Sequence, residues 1–239
     1  MRTIAVIAAT PLEVSYLIEA FGAQPHPGSL PWDIFVADTA STKIIFTISG
    51  IGTSNASAAT TLVAHLFTPD LLISTGCAGA YPGCGLAIGD IALASSEVFA
   101  DEGVVTAEGW HPLEQIGLPL LKKNGRRYFN EIPLSRQANA GALRVAKQLG
   151  TTLTTGRFLT VATCSGTIAR GAELQLRFAG ICENMEGAAV ALAATRYGIQ
   201  CLELRGISNF VENRDLTRWH ISLAAGNSQR FLEQFIRNH

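Results

Sequence analysis

Residues Cys182–Asn209, CENMEGAAVALAATRYGIQCLELRGISN, decide the fold. Ala188 to Tyr197 is rich in alanine, with Val190 and Leu192, and predicts a helix lying close against a sheet because small side chains permit close approach. Gly198 stands where a helix C-terminus takes a left-handed residue. Gln200 to Ile207 follows as a mostly apolar strand that ends in Ser208 and Asn209. Helix, glycine and strand within fewer than about thirty positions make one αβ unit. A polar cluster, Glu183, Asn184 and Glu186, precedes the helix, and an amide closes the strand. Both meet at the carboxyl edge of a sheet, where ligands of open α/β sheets bind, provided that the helix start lies near that edge.

Toward the N-terminus, Thr3 to Ala9 predicts a buried first strand. Thr10, Pro11 and Glu13 then form a capping box, a structural reading for Glu13 that needs no catalysis. The place of Glu13 directly after strand one gives it a functional reading as well. Trp32 to Asp38 and Lys43 to Ser49 read as a hairpin. Gly50-Ile-Gly52 leads into a small-residue helix, Thr53 to Leu66. Its first amides suit an oxyanion, although the stretch is neither a Walker loop nor a dinucleotide fingerprint. Leu71 to Thr75 predicts a short buried strand running into Gly76-Cys-Ala-Gly79. Glycines there either make a tight turn or let a ligand reach the main chain. Cys77 has no histidine nearby in sequence to make it a thiolate nucleophile.

Asp90 to Glu97 reads as a further strand. Residues 101–131 then lose periodicity and predict an irregular loop region with a basic run, Lys122, Lys123, Arg126 and Arg127. Asn139 to Leu149 reads as a helix capped by Asn139. Gly156 to Thr163 is the next strand, ending in the small polar run Cys164-Ser165-Gly166-Thr167, and Ile168 to Phe178 the next helix. A terminal helix spans Ser222 to Arg237.

The 239 residues suit a single α/β domain. With 48% hydrophobic and 15% charged residues and a net charge of −1, the chain lacks the basic face of a nucleic-acid or anionic-membrane binder, so its ligand is expected to be small. The five cysteines form no C-x-x-C pair and suit a reducing, cytoplasmic setting. The apolar run in MRTIAVIAAT meets Pro11 and Glu13 too early for a secretory signal, and no stretch reaches the ~18 apolar residues of a membrane span. The histidines are scattered, so no metal constellation is expected, and no Ser-His-Asp order stands out. Chemistry falls to carboxylates and an amide at the strand ends.

Four motifs together, Glu13 after strand one, T-G-C-A-G at Thr75–Gly79, N-M-E-G-A-A at Asn184–Ala189 and R-G-I-S-N at Arg205–Asn209, resemble the purine nucleosidase branch of the nucleoside phosphorylase superfamily. That branch includes 5′-methylthioadenosine/S-adenosylhomocysteine nucleosidase. The resemblance implies a three-layer α/β/α domain with a mixed, twisted central sheet, a nucleoside and water as partners, no cofactor, and a homodimer or higher oligomer. It gives Glu13 the water that attacks the anomeric carbon, Glu186 the ribose hydroxyls and Met185 the face of the sugar. Cys77, Ala78, Gly79, Ser165, Gly166 and Thr167 fall at matching substrate-binding positions. Carboxylates suit such a reaction because cleavage of an N-glycosidic bond passes through a cation-like sugar.

The departures bear on the substrate. Adenine-specific members carry an aspartate where this chain has Asn209. An amide donates its NH₂ to a 6-oxo group and accepts from a protonated N7, which points to hypoxanthine. The hypoxanthine-releasing members of the branch act in menaquinone biosynthesis on a nucleoside ending in a benzoate. Arg214, Asp215 and Trp219, A-D-E-G at Ala100–Gly103 and S-G-T at Ser165–Thr167 resemble their motifs. Arg214 and the run Lys122–Arg127 are the candidate cations for that tail, and Phe210 or Trp219 is the aromatic to stack the base. An adenine-type nucleosidase is the alternative; a phosphorylase and a non-catalytic nucleoside-binding protein are more distant ones.

Overall fold

The computed structural model describes residues 1–238. The chain begins with β1 (Arg2–Ala8), α1 (Ser15–Ala20), β2 (Gln24–Pro25), β3 (Asp33–Asp38), β4 (Thr42–Ile48) and α2 (Thr53–Phe67). It continues through β5 (Leu71–Ala80), β6 (Ile91–Phe99) and the short strands β7 (Gly103–Thr106), β8 (Gly109–Pro112), β9 (Leu121–Lys123), β10 (Arg126–Tyr128) and β11 (Glu131–Pro133). Then come α3 (Arg136–Leu149), β12 (Leu153–Thr160), α4 (Ile168–Phe178), β13 (Cys182–Asn184), α5 (Gly187–Tyr197), β14 (Gln200–Phe210) and α6 (Ile221–Arg237).

Alternation along the buried strands builds the layers. In β1, Ile4, Val6 and Ala8 face a core shared with Leu17 of α1, Ala142 of α3 and Phe235 of α6. Ala5 and Ile7 face the opposite core, with Ala56 and Val63 of α2 and Val190 and Ala194 of α5. A strand buried on both faces reads as a continuous apolar run for this reason. Each large apolar side chain removed from water in these cores stabilises the fold by roughly 1.5–3 kcal/mol.

The sheet is mixed. β1 pairs in parallel with β4 and β5, and β14 runs parallel to β5 but antiparallel to β6. β12 runs parallel to both β6 and β13, and β13 meets β5 antiparallel. These pairings close β5, β14, β6, β12 and β13 into a ring of strands. Among the described residues no helix is long and apolar enough to cross a membrane.

Several boundaries differ from those read in sequence. β5 does not stop at Thr75 but runs to Ala80, so the glycines are strand residues. β14 likewise continues through Asn209 to Phe210, whereas β12 ends early, at Thr160. The 101–131 segment is not irregular: its short hydrogen-bonded strands form two ribbons, too brief for periodicity to show. Helix α3 is capped by Ser135, whose side chain accepts from the Ala138 amide, and Asn139 instead donates to the Ala94 carbonyl. Gly198 does cap α5 in the left-handed region, at φ +77°.

Candidate active site

A cavity of about 470 Å³ opens at the ends of β1, β5, β13 and β14. Its polar lining includes three carboxylates, Glu13, Glu183 and Glu186, with Asn184 and Asn209. Thr10 and Glu13 form the expected capping box: Glu13 Oε2 accepts from the Thr10 amide at 3.0 Å and its hydroxyl at 2.9 Å. The other oxygen, Oε1, accepts from the Cys77 amide on β5 at 2.8 Å. Glu13 is thus both a local cap and a carboxylate fixed at the cavity. Gly76 makes this possible, because a Cβ there would lie 2.5 Å from Glu13 Oε1.

Glu186 precedes the first turn of α5. Its Oε1 accepts from the Gly52 amide at 2.9 Å and its Oε2 from Arg205 Nη1 at 3.3 Å. The Gly52 amide therefore serves a carboxylate of this chain, the Gly50 amide donates to the Ala9 carbonyl, and Gly52, at φ +92°, sits where only glycine is unstrained. Glu183 accepts from the Ser165 amide and hydroxyl and from the Tyr81 hydroxyl. Burial, reinforced by the charge of Glu183, pushes the Tyr81 phenol up, so it stays a donor.

Asn209 owes its direction to a bulge. Ile207 pairs with Ala78 and Asn209 with Gly79, leaving Ser208 as the extra residue, and such an insertion re-aims the side chains beside it. Asn209 Oδ1 accepts from the Ser208 hydroxyl at 2.7 Å and Nδ2 donates to the Phe210 carbonyl at 3.0 Å. One N–H and one lone pair of the amide are left for a ligand. Gly79 leaves space for it, since a Cβ there would sit 3.1 Å from Nδ2.

Cys77, Ala78, Gly79, Ser165 and Met185 also line the cavity. Burial, then the charge of Glu13, pushes the Cys77 thiol up to about 12, which keeps it a thiol near neutral pH. Gly166, Thr167, Phe210 and Arg214 do not line it. Thr167 caps α4, the Gly166 carbonyl accepts from the Arg214 amide, and Phe210 packs against the core. Arg214 lies one ring away: its guanidinium stands over the Trp219 ring at 5.0 Å, and Trp219 is a lining residue. The basic run is elsewhere. Lys123 Nζ donates to the Thr195 and Arg196 carbonyls at the C-terminus of α5, about 16 Å along that helix from Glu186.

The sequence reading missed Cys164, Val161, Ile51 and Ile221 on the lining, and gave no role to Glu183 and Asn184. For Glu183 and Asn184 a signal existed: two polar residues, 6% exposed each, directly before a buried helix need partners. Arg205, in sequence only the start of the R-G-I-S-N motif, is 1% exposed and donates to Glu203, Glu186 and Asn184. Burial opposes its charge, but Glu203, Glu186 and Glu13 outweigh that and push the guanidinium further up.

The chain resembles known proteins over most of its length. The futalosine hydrolase of Acidothermus cellulolyticus is 39% identical over 204 residues, which cover 84% of this chain and 76% of that protein. The 5′-methylthioadenosine/S-adenosylhomocysteine nucleosidase of Shewanella halifaxensis is 31% identical over 211 residues, covering 88% of this chain and 87% of that protein. Among solved structures, a futalosine hydrolase mutant of Helicobacter pylori strain 26695 superposes with a TM-score of 0.85 at 24% identity, over all of both chains, a likeness of fold. Residues 3–237 match the family described as the phosphorylase superfamily, and the chain belongs to that family.

Proposed function

We propose that this chain is a single nucleosidase domain that hydrolyses the N-glycosidic bond of futalosine, releasing hypoxanthine and dehypoxanthine futalosine. Asn209 carries the reading: its free N–H suits a 6-oxo group and its free lone pair a protonated N7. The identity with a futalosine hydrolase supports the same substrate. The adenine-type alternative lacks the carboxyl group it would use at position 209. The reaction belongs to menaquinone biosynthesis, needs no cofactor, and takes place in the cytoplasm in a homodimer or higher oligomer.

In this mechanism Glu13 orients the attacking water and takes its proton. The three donors on Glu13 fix the carboxylate before substrate arrives, so little reorganisation is left for the transition state. Glu186, held at both oxygens, accepts from the ribose hydroxyls. As the glycosidic bond breaks, positive charge grows on the sugar, and Glu13, Glu183 and Glu186 surround it. Asn209 then receives the departing base, which takes its N7 proton from solvent water, with Val161 and Trp219 as apolar walls and Met185 against the sugar. Arg214, stacked on Trp219 at the rim, is the cation for the benzoate tail.

The test is incubation with futalosine, inosine and methylthioadenosine in phosphate-free buffer, followed by chromatographic identification of the base. Hypoxanthine from futalosine is the expected product. Adenine from methylthioadenosine, with futalosine untouched, would sink the proposal.

A further inference from the structure

Each strand of the closed ring sends polar side chains into one buried cluster: Ser74 from β5, Glu97 from β6, Thr160 from β12, Asn184 from β13, and Glu203 and Arg205 from β14. Glu97 and Glu203 are fully buried, at 0% exposure. Neither lines the cavity, and the mechanism above uses neither.

Donors and acceptors in this cluster do not balance unless a proton is added. Glu97 Oε2 accepts from the Thr160 hydroxyl at 2.7 Å, and Oε1 from Asn184 Nδ2 at 2.6 Å. Thr160 cannot donate elsewhere at the same time, and its oxygen already accepts from the Ala188 amide. Glu203 Oε1 accepts from Arg205 Nε at 2.8 Å, but Glu203 Oε2 has no partner. A methyl group on Gly187 would overlap both Glu97 Oε1 and Glu203 Oε2, so the two oxygens converge on one point. Two buried carboxylates that close do not both ionise, and a buried acceptor without a donor is costly. A single proton on Glu97 Oε1, donated to Glu203 Oε2, resolves both problems. The Oε1 that carries it keeps a lone pair for Asn184.

From this pair two hydrogen-bonded arms reach Glu186. Glu203 holds Arg205, whose Nη1 donates to Glu186 Oε2. Glu97 holds Asn184, whose Oδ1 accepts from the Glu186 amide at 2.9 Å and the Gly187 amide at 2.7 Å. One arm fixes the carboxylate of Glu186 and the other its backbone. We infer that Glu97 and Glu203 share one proton and act as a positioning pair that sets Glu186 for the ribose hydroxyls. The role assigned to Glu186 rests on the proposed nucleosidase reaction; the shared proton does not.

The test has two arms that fail separately. Infrared spectra of the substrate-free full chain at neutral pH should show the carbonyl stretch of a protonated carboxylic acid that is absent from the E97Q variant. The other titratable groups facing the pair, the guanidinium of Arg205 and the thiols of Cys182 and Cys201, absorb elsewhere. No difference band would overturn the shared proton, whatever the enzyme cleaves. In kinetics, E203Q, which takes the charge from beneath Arg205, should raise KM roughly tenfold with a smaller change in kcat, the scale of one weakened bond to a charged group. At the place of Oε1, E97Q keeps either the acceptor for Asn184 or the donor toward Glu203, and E97L keeps neither, so the KM of E97Q should rise less than that of E97L. An E97Q variant as impaired as E97L, or an unchanged KM in E203Q, would overturn the positioning role. Should the wild type cleave methylthioadenosine instead of futalosine, the substrate reading fails while the same KM comparison decides this one.

Discussion

Glu13 and Glu186, at the cavity, meet an N–H donor at every carboxylate oxygen, whereas Glu97 and Glu203, sealed from solvent, face each other with one oxygen unpartnered. Arg205 links the two regions, donating to Glu203 on one side and to Glu186 on the other. The difference teaches that a carboxylate's role follows its donors. One group is pre-set by backbone amides to meet a ligand; the other is satisfied only by sharing a proton, and acts through what it holds.

The largest expected effect breaks the cavity side. Glu13→Gln removes the base without removing the cap's shape, and kcat for base release should fall by about 10²–10⁴-fold, the usual worth of a positioned general base. An activity loss of less than tenfold would show that another group takes the proton. Next comes the bridge. Arg205→Met leaves Glu203 and Glu186 without their guanidinium, and breaking a buried ion pair on one side costs about 3–5 kcal/mol. Urea unfolding should register that loss, while Glu13→Gln should move the urea midpoint much less. If both variants lost equal stability, the division between a reactive and a sealed cluster would be wrong.

Much of the cavity side was legible because strand ends announce themselves. Glu13, Met185, Glu186 and Asn209 stand where apolar runs meet polar residues, and each lines the cavity. Gly166, Thr167, Phe210 and Arg214 lie in the same short motifs yet miss the lining, because a capping bond and a core contact turn two of them away. Spacing along the chain cannot report such turns. The sealed pair was hidden differently. In CLELRGI, Glu203 and Arg205 are two apart on a strand, hence on one face, and an apolar strand carrying a charge pair is readable as a buried ion pair. Their link to Glu97, more than one hundred positions upstream, comes only from the closure of five strands. Ser135, not Asn139, caps α3: both residue types are good caps, and only the turn geometry chooses between them.

Asn209→Asp sharpens the cavity side in a smaller way. An aspartate at the bulge can accept from a 6-amino group but no longer donates to a 6-oxo group, so the ratio of kcat/KM for adenine over hypoxanthine nucleosides should rise by about tenfold or more. Paired assays on methylthioadenosine and futalosine measure that ratio. No shift would mean that the amide does not face the base.

A last comparison separates the two regions by pH. Burial first, then the charge of Glu203, raises Glu97 well above the ordinary carboxylate value of 4.5. A native group raised in this way binds more protons than the unfolded chain, so stability must fall as pH rises. The contribution is full below about 4.5, where both states are protonated, and is lost progressively up to the folded value, beyond which the dependence is flat. The slope is at most about 1.4 kcal/mol per pH unit for one proton. Glu97→Gln has no such proton to lose. The stability of the wild type relative to Glu97→Gln, from urea midpoints between about pH 5 and pH 8, should therefore decline with pH. A difference that stays constant across that range would mean Glu97 is already ionised in the native state. The unpartnered oxygen of Glu203 would then have to be satisfied by a buried water, and the contrast between the regions would be one of solvent access alone.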